Sequence, residues 1–117
     1  MSLKTEISTI GGIILVSIEG KVLEESILTD LLSKIEKELN KTKGKIVLNL
    51  TKLDYINSTG INFFIKVLTK ARTHGGDLVF YGITGSVKTV VQISKMDEVF
   101  TIADTQEEAL NIFKIKA

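Results

Sequence analysis

The chain contains no cysteine. A disulfide framework, a thiolate metal site and a cysteine nucleophile are therefore excluded. Histidine is nearly absent too: His74 stands alone, in the polar turn Arg72-Thr73-His74-Gly75-Gly76. With no second ligand or nucleophile near it, it reads as a solvated loop residue, and no metal-ligand spacing is present. There is no excess of charge of one sign, because fifteen basic residues face fourteen acidic ones, a formal +1. A near-neutral chain with mixed charges, and no basic block interleaved with aromatics, carries no electrostatic footprint for nucleic acid. Long apolar runs are missing as well. The longest, Ile13-Ile14-Leu15-Val16, is far too short to span a bilayer. The opening Met1-Ser2-Leu3-Lys4-Thr5-Glu6 lacks the charged-then-apolar pattern of a signal peptide. A soluble, cytoplasmic protein with no direct membrane insertion is expected.

What is present is a folding pattern. The chain has 117 residues, no proline and 44% hydrophobic residues. That fits one domain over residues 1–117 with a single apolar core. Leu3 to Ser8 reads as an edge strand, and Gly11-Gly12 as the turn of a hairpin into Ile13 to Glu19, which Gly20 ends. From about Glu25 to Leu39 the period changes. Ile27, Leu28, Leu31, Leu32, Ile35 and Leu39 make one helix face, and Lys34, Glu36, Lys37 and Glu38 solvate the other. Glu24, Glu25 and Asp30 suit a solvated helix start.

Ile46 to Leu50 is a short apolar run, as in a strand covered on both faces. Leu53 to Asn57 reads as a loop. Ser58-Thr59-Gly60 opens a second helix with Ile61, Phe64, Ile65 and Leu68 inward, stopped by Gly75-Gly76. Phe63 falls outside that stripe, where a partly exposed contact residue and a place on a broad core face both fit. Leu78 to Tyr81 is a strand. A third helix runs from Ser86 to about Lys95, with Val87, Val90, Val91 and Ser94 inward, and Val99 to Ala103 is a last strand. Thr105-Gln106-Glu107-Glu108 matches a capping box before a final helix. The order β-β-α-β-α-β-α-β-α implies an α/β fold with about four helices. Its central sheet is mostly parallel, with one antiparallel N-terminal edge strand.

Chemistry-bearing residues concentrate at Asn57-Ser58-Thr59-Gly60. A strand-to-helix junction exposes backbone N–H groups and partial positive charge, which favours an anion there, phosphate included. The same Ser and Thr also suit a plain N-cap. Gly82-Ile83-Thr84-Gly85-Ser86 follows a strand and opens a helix. It lacks the P-loop lysine and the dinucleotide glycine spacing, and reads as a turn plus cap. No Ser-His-Asp constellation or nucleophile elbow emerges, so no catalytic residues are assigned.

The element order and this junction together resemble the STAS domain, a family named for sulfate transporters and anti-sigma-factor antagonists. The resemblance runs over nearly the whole chain. It takes in Ile14-Leu15-Val16-Ser17-Ile18-Glu19-Gly20, Ile46-Val47-Leu48-Asn49-Leu50, Leu53 through Gly60, Met96-Asp97-Glu98-Val99-Phe100 and Ala103 through Leu110. It implies a binding module, not an enzyme, with no cofactor and no metal. It implies that Ser58 is phosphorylated by a partner that is both anti-sigma factor and serine kinase, that phosphorylation blocks docking, and that a phosphatase reverses it. Asn57, Ser58, Thr59, Gly60, Asn62 and Phe63 then form the partner-binding surface. Monomer and dimer are both open.

Two departures from the family pattern bear on this. Asn57 stands where many members carry aspartate, with Asp54 four residues before Ser58. Gly20-Lys21-Val22-Leu23 lacks the acids of the early turn, and Glu24 follows one place late. These favour an alternative: a STAS module that binds a different partner, in a transport or stressosome-like assembly, without phosphorylation. A receiver domain would need clustered acids after the first strand, and a flavodoxin-like enzyme a Ser/Thr-rich phosphate loop there. Ile18-Glu19-Gly20 supplies neither.

Overall fold

The computed structural model describes residues 3–22 and 25–116. Strands β1 (Lys4–Ile10) and β2 (Ile13–Val22) form the expected antiparallel hairpin, paired from Ile10↔Ile13 to Lys4↔Glu19. Gly11 and Gly12 turn it with φ of 56° and 78°. Two successive positive φ values give the turn whose twist matches the flanking strands.

Helix α1 (Glu25–Thr42) leads to β3 (Lys45–Asn49), β4 (Leu53–Ile56) and α2 (Ser58–Thr73). Next come β5 (Asp77–Tyr81), α3 (Gly85–Ile93), α4 (Met96–Val99), β6 (Thr101–Ala103) and α5 (Gln106–Lys116). The sheet order is β1-β2-β3-β5-β6, and every pairing except β1–β2 is parallel. Five helices occur among the described residues, the four-residue α4 lying between α3 and β6.

Residue alternation along the strands builds two cores. Ile14, Val16, Ile18, Ile46, Leu48, Leu78 and Phe80 face α1, α2, α3 and α4, whose Leu31, Ile35, Phe64, Val67, Val87 and Met96 complete the larger core. Ile13, Val47, Val79 and Tyr81 face α5, which contributes Ala109 and Phe113. β5 is buried at all five positions because helices cover both its faces. Burial pushes the Tyr81 phenol up, and its hydroxyl donates to Gln106 Oε1 at 2.8 Å.

Strand β4 corrects the loop reading of Leu53 to Asn57. It pairs with the outer half of β2, Gly20↔Leu53 and Val22↔Ile56, after a register shift at Gly20/Lys21. Gly20 therefore does not end β2. With φ of 103° it bends the strand, and its N–H donates to the Lys52 carbonyl at 3.0 Å. A bulge re-aims a strand in this way. The consequence is positional: β4 carries the chain past the end of β3 and delivers residue 57 to the C-terminal rim of the sheet.

Smaller corrections follow from packing. Ser94 does not turn inward; it is exposed, and its hydroxyl donates to the Val90 carbonyl at 2.7 Å. The last strand starts at Thr101, with Val99 in α4 and half exposed. The capping box is half formed. Glu108 N–H donates to Thr105 Oγ1 at 3.2 Å, but the Glu108 carboxylate accepts from Asp104 N–H at 3.3 Å, one residue earlier than the motif requires.

Candidate functional site

Ser58 is the first residue of α2, and the cap is the residue before it. Asn57 sits in extended backbone, φ −124° and ψ −173°, and its Oδ1 accepts the Gly60 N–H at 3.1 Å. Its carbonyl accepts the first helical bond from Ile61 N–H at 3.0 Å. Asparagine is as good an N-cap as serine, so this satisfies the orphan donor at the third helical position. The reading of Ser58 or Thr59 as the cap is thereby corrected. Among the described residues the Ser58 hydroxyl makes no hydrogen bond, and the side chain is exposed. The first turn of α2 contains no acid. An exposed, unbonded hydroxyl thus stands at the positive end of a helix dipole that no nearby carboxylate of that turn neutralises. Asn57→Ala is expected to cost about 1 kcal/mol, the usual worth of a side-chain cap, whereas Asn57→Asp keeps the bond. Urea unfolding of both variants checks this.

The other expected contact residues divide by depth. Asn62 is exposed, Thr59 half-buried and Gly60 buried. Of the two places open to Phe63, the structure shows the core face: only 4% of it is accessible. Its ring lies 5.7 Å from Phe64, which lies 5.1 Å from Phe80, which lies 4.6 Å from Phe100. This aromatic series ties the start of α2 into the core. Ile65 exchanges places with it and is 46% exposed.

Around the junction, Tyr55 of β4 is 42% exposed, with Lys21, Asp54 and Asn62 also exposed. Sequence reasoning missed Tyr55 because it missed the strand. Ser86 Oγ donates to the Asp54 carbonyl at 2.9 Å and pins the start of α3 beside β4. A groove of about 310 Å³ opens between α1 and α2, with Thr59 and Asn62 in its wall and Phe63 in its lining. Leu23 and Glu24 of the early turn lie outside the described residues.

The remaining candidates stay apart from this site. His74 is the C-cap of α2, and its Nδ1 bonds the Lys70 carbonyl at 2.8 Å. Thr84 is the N-cap of α3 without a side-chain cap bond. A separate cleft of about 380 Å³ is lined by Gly82, Thr84, Lys88, Asp97 and Asp104, a mixed set of charges. Among the described residues no group of three His, Asp or Glu side chains gathers as a metal would require. None of the helices found among them is long and apolar enough to cross a membrane.

A hairpin-led parallel sheet, with a capped helix opening at its C-terminal rim, defines the STAS class. The STAS domain family matches residues 4–109, and the chain belongs to that family. A Bordetella bronchiseptica protein, BtrV, provisionally named an anti-sigma factor antagonist, is 28% identical over 112 residues, 96% of each chain. Among solved structures, a Thermotoga maritima protein with the same provisional description superposes with a TM-score of 0.77. The match is 20% identical and covers 91% of each chain. The Bacillus cell-fate determinant SpoIIAA in its phosphorylated form gives 0.67 at 18% identity, over 96% of this chain and 99% of that one. These structural likenesses establish the fold.

Proposed function

We propose that the chain is an anti-sigma factor antagonist: a binding module, not an enzyme, that docks an anti-sigma factor with serine kinase activity over Ser58 and is switched off by phosphorylation there. The observation that carries this reading is the free, exposed Ser58 hydroxyl at the first position of α2, its capping duty taken over by Asn57. The names given to BtrV and to the Thermotoga maritima protein support the partner class.

The physical logic needs no refolding. Phosphate adds roughly −1.5 to −2 charge and three acceptor oxygens at a helix terminus that tolerates them. The antagonist therefore stays folded. A partner surface packed over the same spot must desolvate a dianion, which is costly without a matching cation. A phosphatase restores the docking form.

The neutral Asn57 favours one second reading, a STAS module that binds a transport or stressosome-like partner without phosphorylation, since the acid usual at that position is missing. The two separate cleanly. Protein isolated from its source cells is digested, and the peptide spanning Asp54 to Lys66 is followed by mass spectrometry. Phosphate on Ser58 is the expected result. Its absence under every growth condition tested would favour the second reading.

A further inference from the structure

We propose that strand β1 is a docking edge for a second copy of this chain: two β1 strands pair antiparallel across a two-fold axis at Ile7 and join their sheets. The inference stands apart from the Ser58 reading and adds an assembly to it.

The edge is open. β1 ends the sheet order β1-β2-β3-β5-β6, and its seven residues, Lys4–Ile10, span about 24 Å. At the opposite edge β6 has only three residues. Backbone geometry decides which groups of β1 point outward. The Gly11-Gly12 turn makes Ile10↔Ile13 the closing pair, and in a two-residue hairpin that pair exchanges both backbone hydrogen bonds. The register then runs to Lys4↔Glu19 without a shift, so Ser8, Glu6 and Lys4 bond β2 as Ile10 does. Thr5, Ile7 and Thr9 turn their N–H and C=O groups away from β2, and no turn, loop or cap bond reaches them among the described residues. A row of unpaired backbone groups takes an extended strand. Edges are commonly blunted by proline, a bulge or a covering segment. Here the chain has no proline, the β1–β2 register has no bulge, and Lys4, Glu6, Ser8, Thr9 and Ile10 are all exposed.

The occupant follows from symmetry. An antiparallel ladder forms only where outward-facing residues meet outward-facing residues. About Ile7 that holds at every position. Thr5 meets Thr9, Ile7 meets Ile7 and Thr9 meets Thr5, which gives about six hydrogen bonds between the copies. The same register overlaps the whole of Lys4–Ile10.

The side chains agree with it. Thr–Thr and β-branched pairs are favourable neighbours across strands. On the other face Glu6 meets Ser8 and Lys4 meets Ile10, so neither charge lies directly opposite its own kind. Glu6 approaches its mate only on the diagonal, roughly 7–8 Å away and in solvent, where the repulsion is screened. The Lys4 stem covers Ile10, which is 49% exposed in the single chain. This isologous contact closes at two copies. One strand pair lies at the small end of specific interfaces, so the dimer is weak and concentration-dependent. Helix α1 touches both β1 and α2 and separates the new contact from α2, which leaves both Ser58 surfaces open.

Sedimentation equilibrium of the full chain is expected to show monomer and dimer in exchange. Thr9→Pro removes an outward N–H and spares the β2 ladder, the setting in which an edge strand tolerates proline. It should weaken the dimer at least tenfold, with the melting temperature of dilute protein little changed. Disulfides read the register, because the chain has no cysteine of its own. Lys4→Cys and Ile10→Cys chains, mixed and treated with oxidised glutathione, should link to each other. Residues opposite one another in such a pair have Cα atoms about 4.5 Å apart, within disulfide reach. Either variant alone should stay unlinked, since each site lies about 20 Å along the strands from its own mate. Should Thr9→Pro unfold, the disulfide pattern decides. A chain that stays monomeric up to about 1 mM overturns the proposal. So does a dimer that folded Thr9→Pro leaves intact, or a Lys4→Cys chain that links to itself as readily as to the Ile10→Cys chain. None of these outcomes bears on phosphate at Ser58, which the peptide mass spectrum judges separately.

Discussion

Replacing Ser58 with glutamate is expected to lower partner affinity tenfold or more while the protein becomes no less stable. Both halves of that expectation come from the same geometry. The Ser58 side chain is exposed and bonded to nothing among the described residues, so its removal disturbs no packing. Ser58→Ala should fall within about 0.5 kcal/mol of the parent, as surface substitutions do, and should bind constitutively. An acid in the first turn of α2 meets a helix terminus with no acid of its own. Ser58→Glu and Ser58→Asp should therefore gain about 0.3–1 kcal/mol from the dipole. Binding moves the other way, because a desolvated carboxylate at the interface costs at least the roughly 1.4 kcal/mol that makes a tenfold change. Calorimetric titrations alongside thermal melts separate the two effects. Loss of binding accompanied by loss of stability would point to unfolding instead of a switch.

The largest expected effect on stability lies at the other rim of the sheet. The turn before β3 and the turn before β5 touch backbone to backbone, Asp77 N–H donating to the Gly44 carbonyl at 3.1 Å, while Gly76 N–H closes the end of α2 on the Ala71 carbonyl at 2.9 Å. A Cβ at residue 76 would overlap the Gly44 carbonyl and lie 2.7 Å from the Lys43 carbonyl oxygen. Those neighbours are main chain of a strand entry and cannot rotate aside. Gly76→Ala should thus cost about 3 kcal/mol or more, a large share of a total near 5–15 kcal/mol. Gly75 offers the control. Its φ of +85° strains any side chain, but nothing lies within 4 Å of its Cβ position. Gly75→Ala should cost only about 1–2 kcal/mol. Urea midpoints for the two variants check the difference, and equal small losses would mean the two turns are not in contact. Because this rim is opposite Ser58, the folded fraction of either variant should bind its partner normally.

The strands β2, β3 and β5 and the α1 stripe were legible because their patterns are long or strongly apolar. Leu28, Leu31, Ile35 and Leu39 repeat at three- and four-residue spacing and are buried. β4 was not legible. Its four residues show buried ends and an exposed middle, Asp54-Tyr55, which matches no alternation. It is a strand because the bent end of β2 lies beside it, a tertiary cause. In α2 the segment Ile61-Asn62-Phe63-Phe64-Ile65 is almost continuously apolar, so periodicity alone chooses poorly between Phe63 and Ile65. The position of α1 and the Phe64–Phe80 contact decide it. Similarly, three consecutive residues, Asn57, Ser58 and Thr59, are all competent caps. Which of them caps depends on where β4 ends, and that single residue of offset is what leaves the Ser58 hydroxyl free.

Charge gained or lost at that one oxygen is the claim on which the rest depends. The most direct measurement titrates the purified anti-sigma partner with the chain carrying serine, and then phosphoserine, at position 58. The account predicts that the phosphorylated chain binds at least about a hundredfold more weakly, a difference near 3 kcal/mol, with its melting temperature undiminished. Equal affinity of the two forms would contradict it.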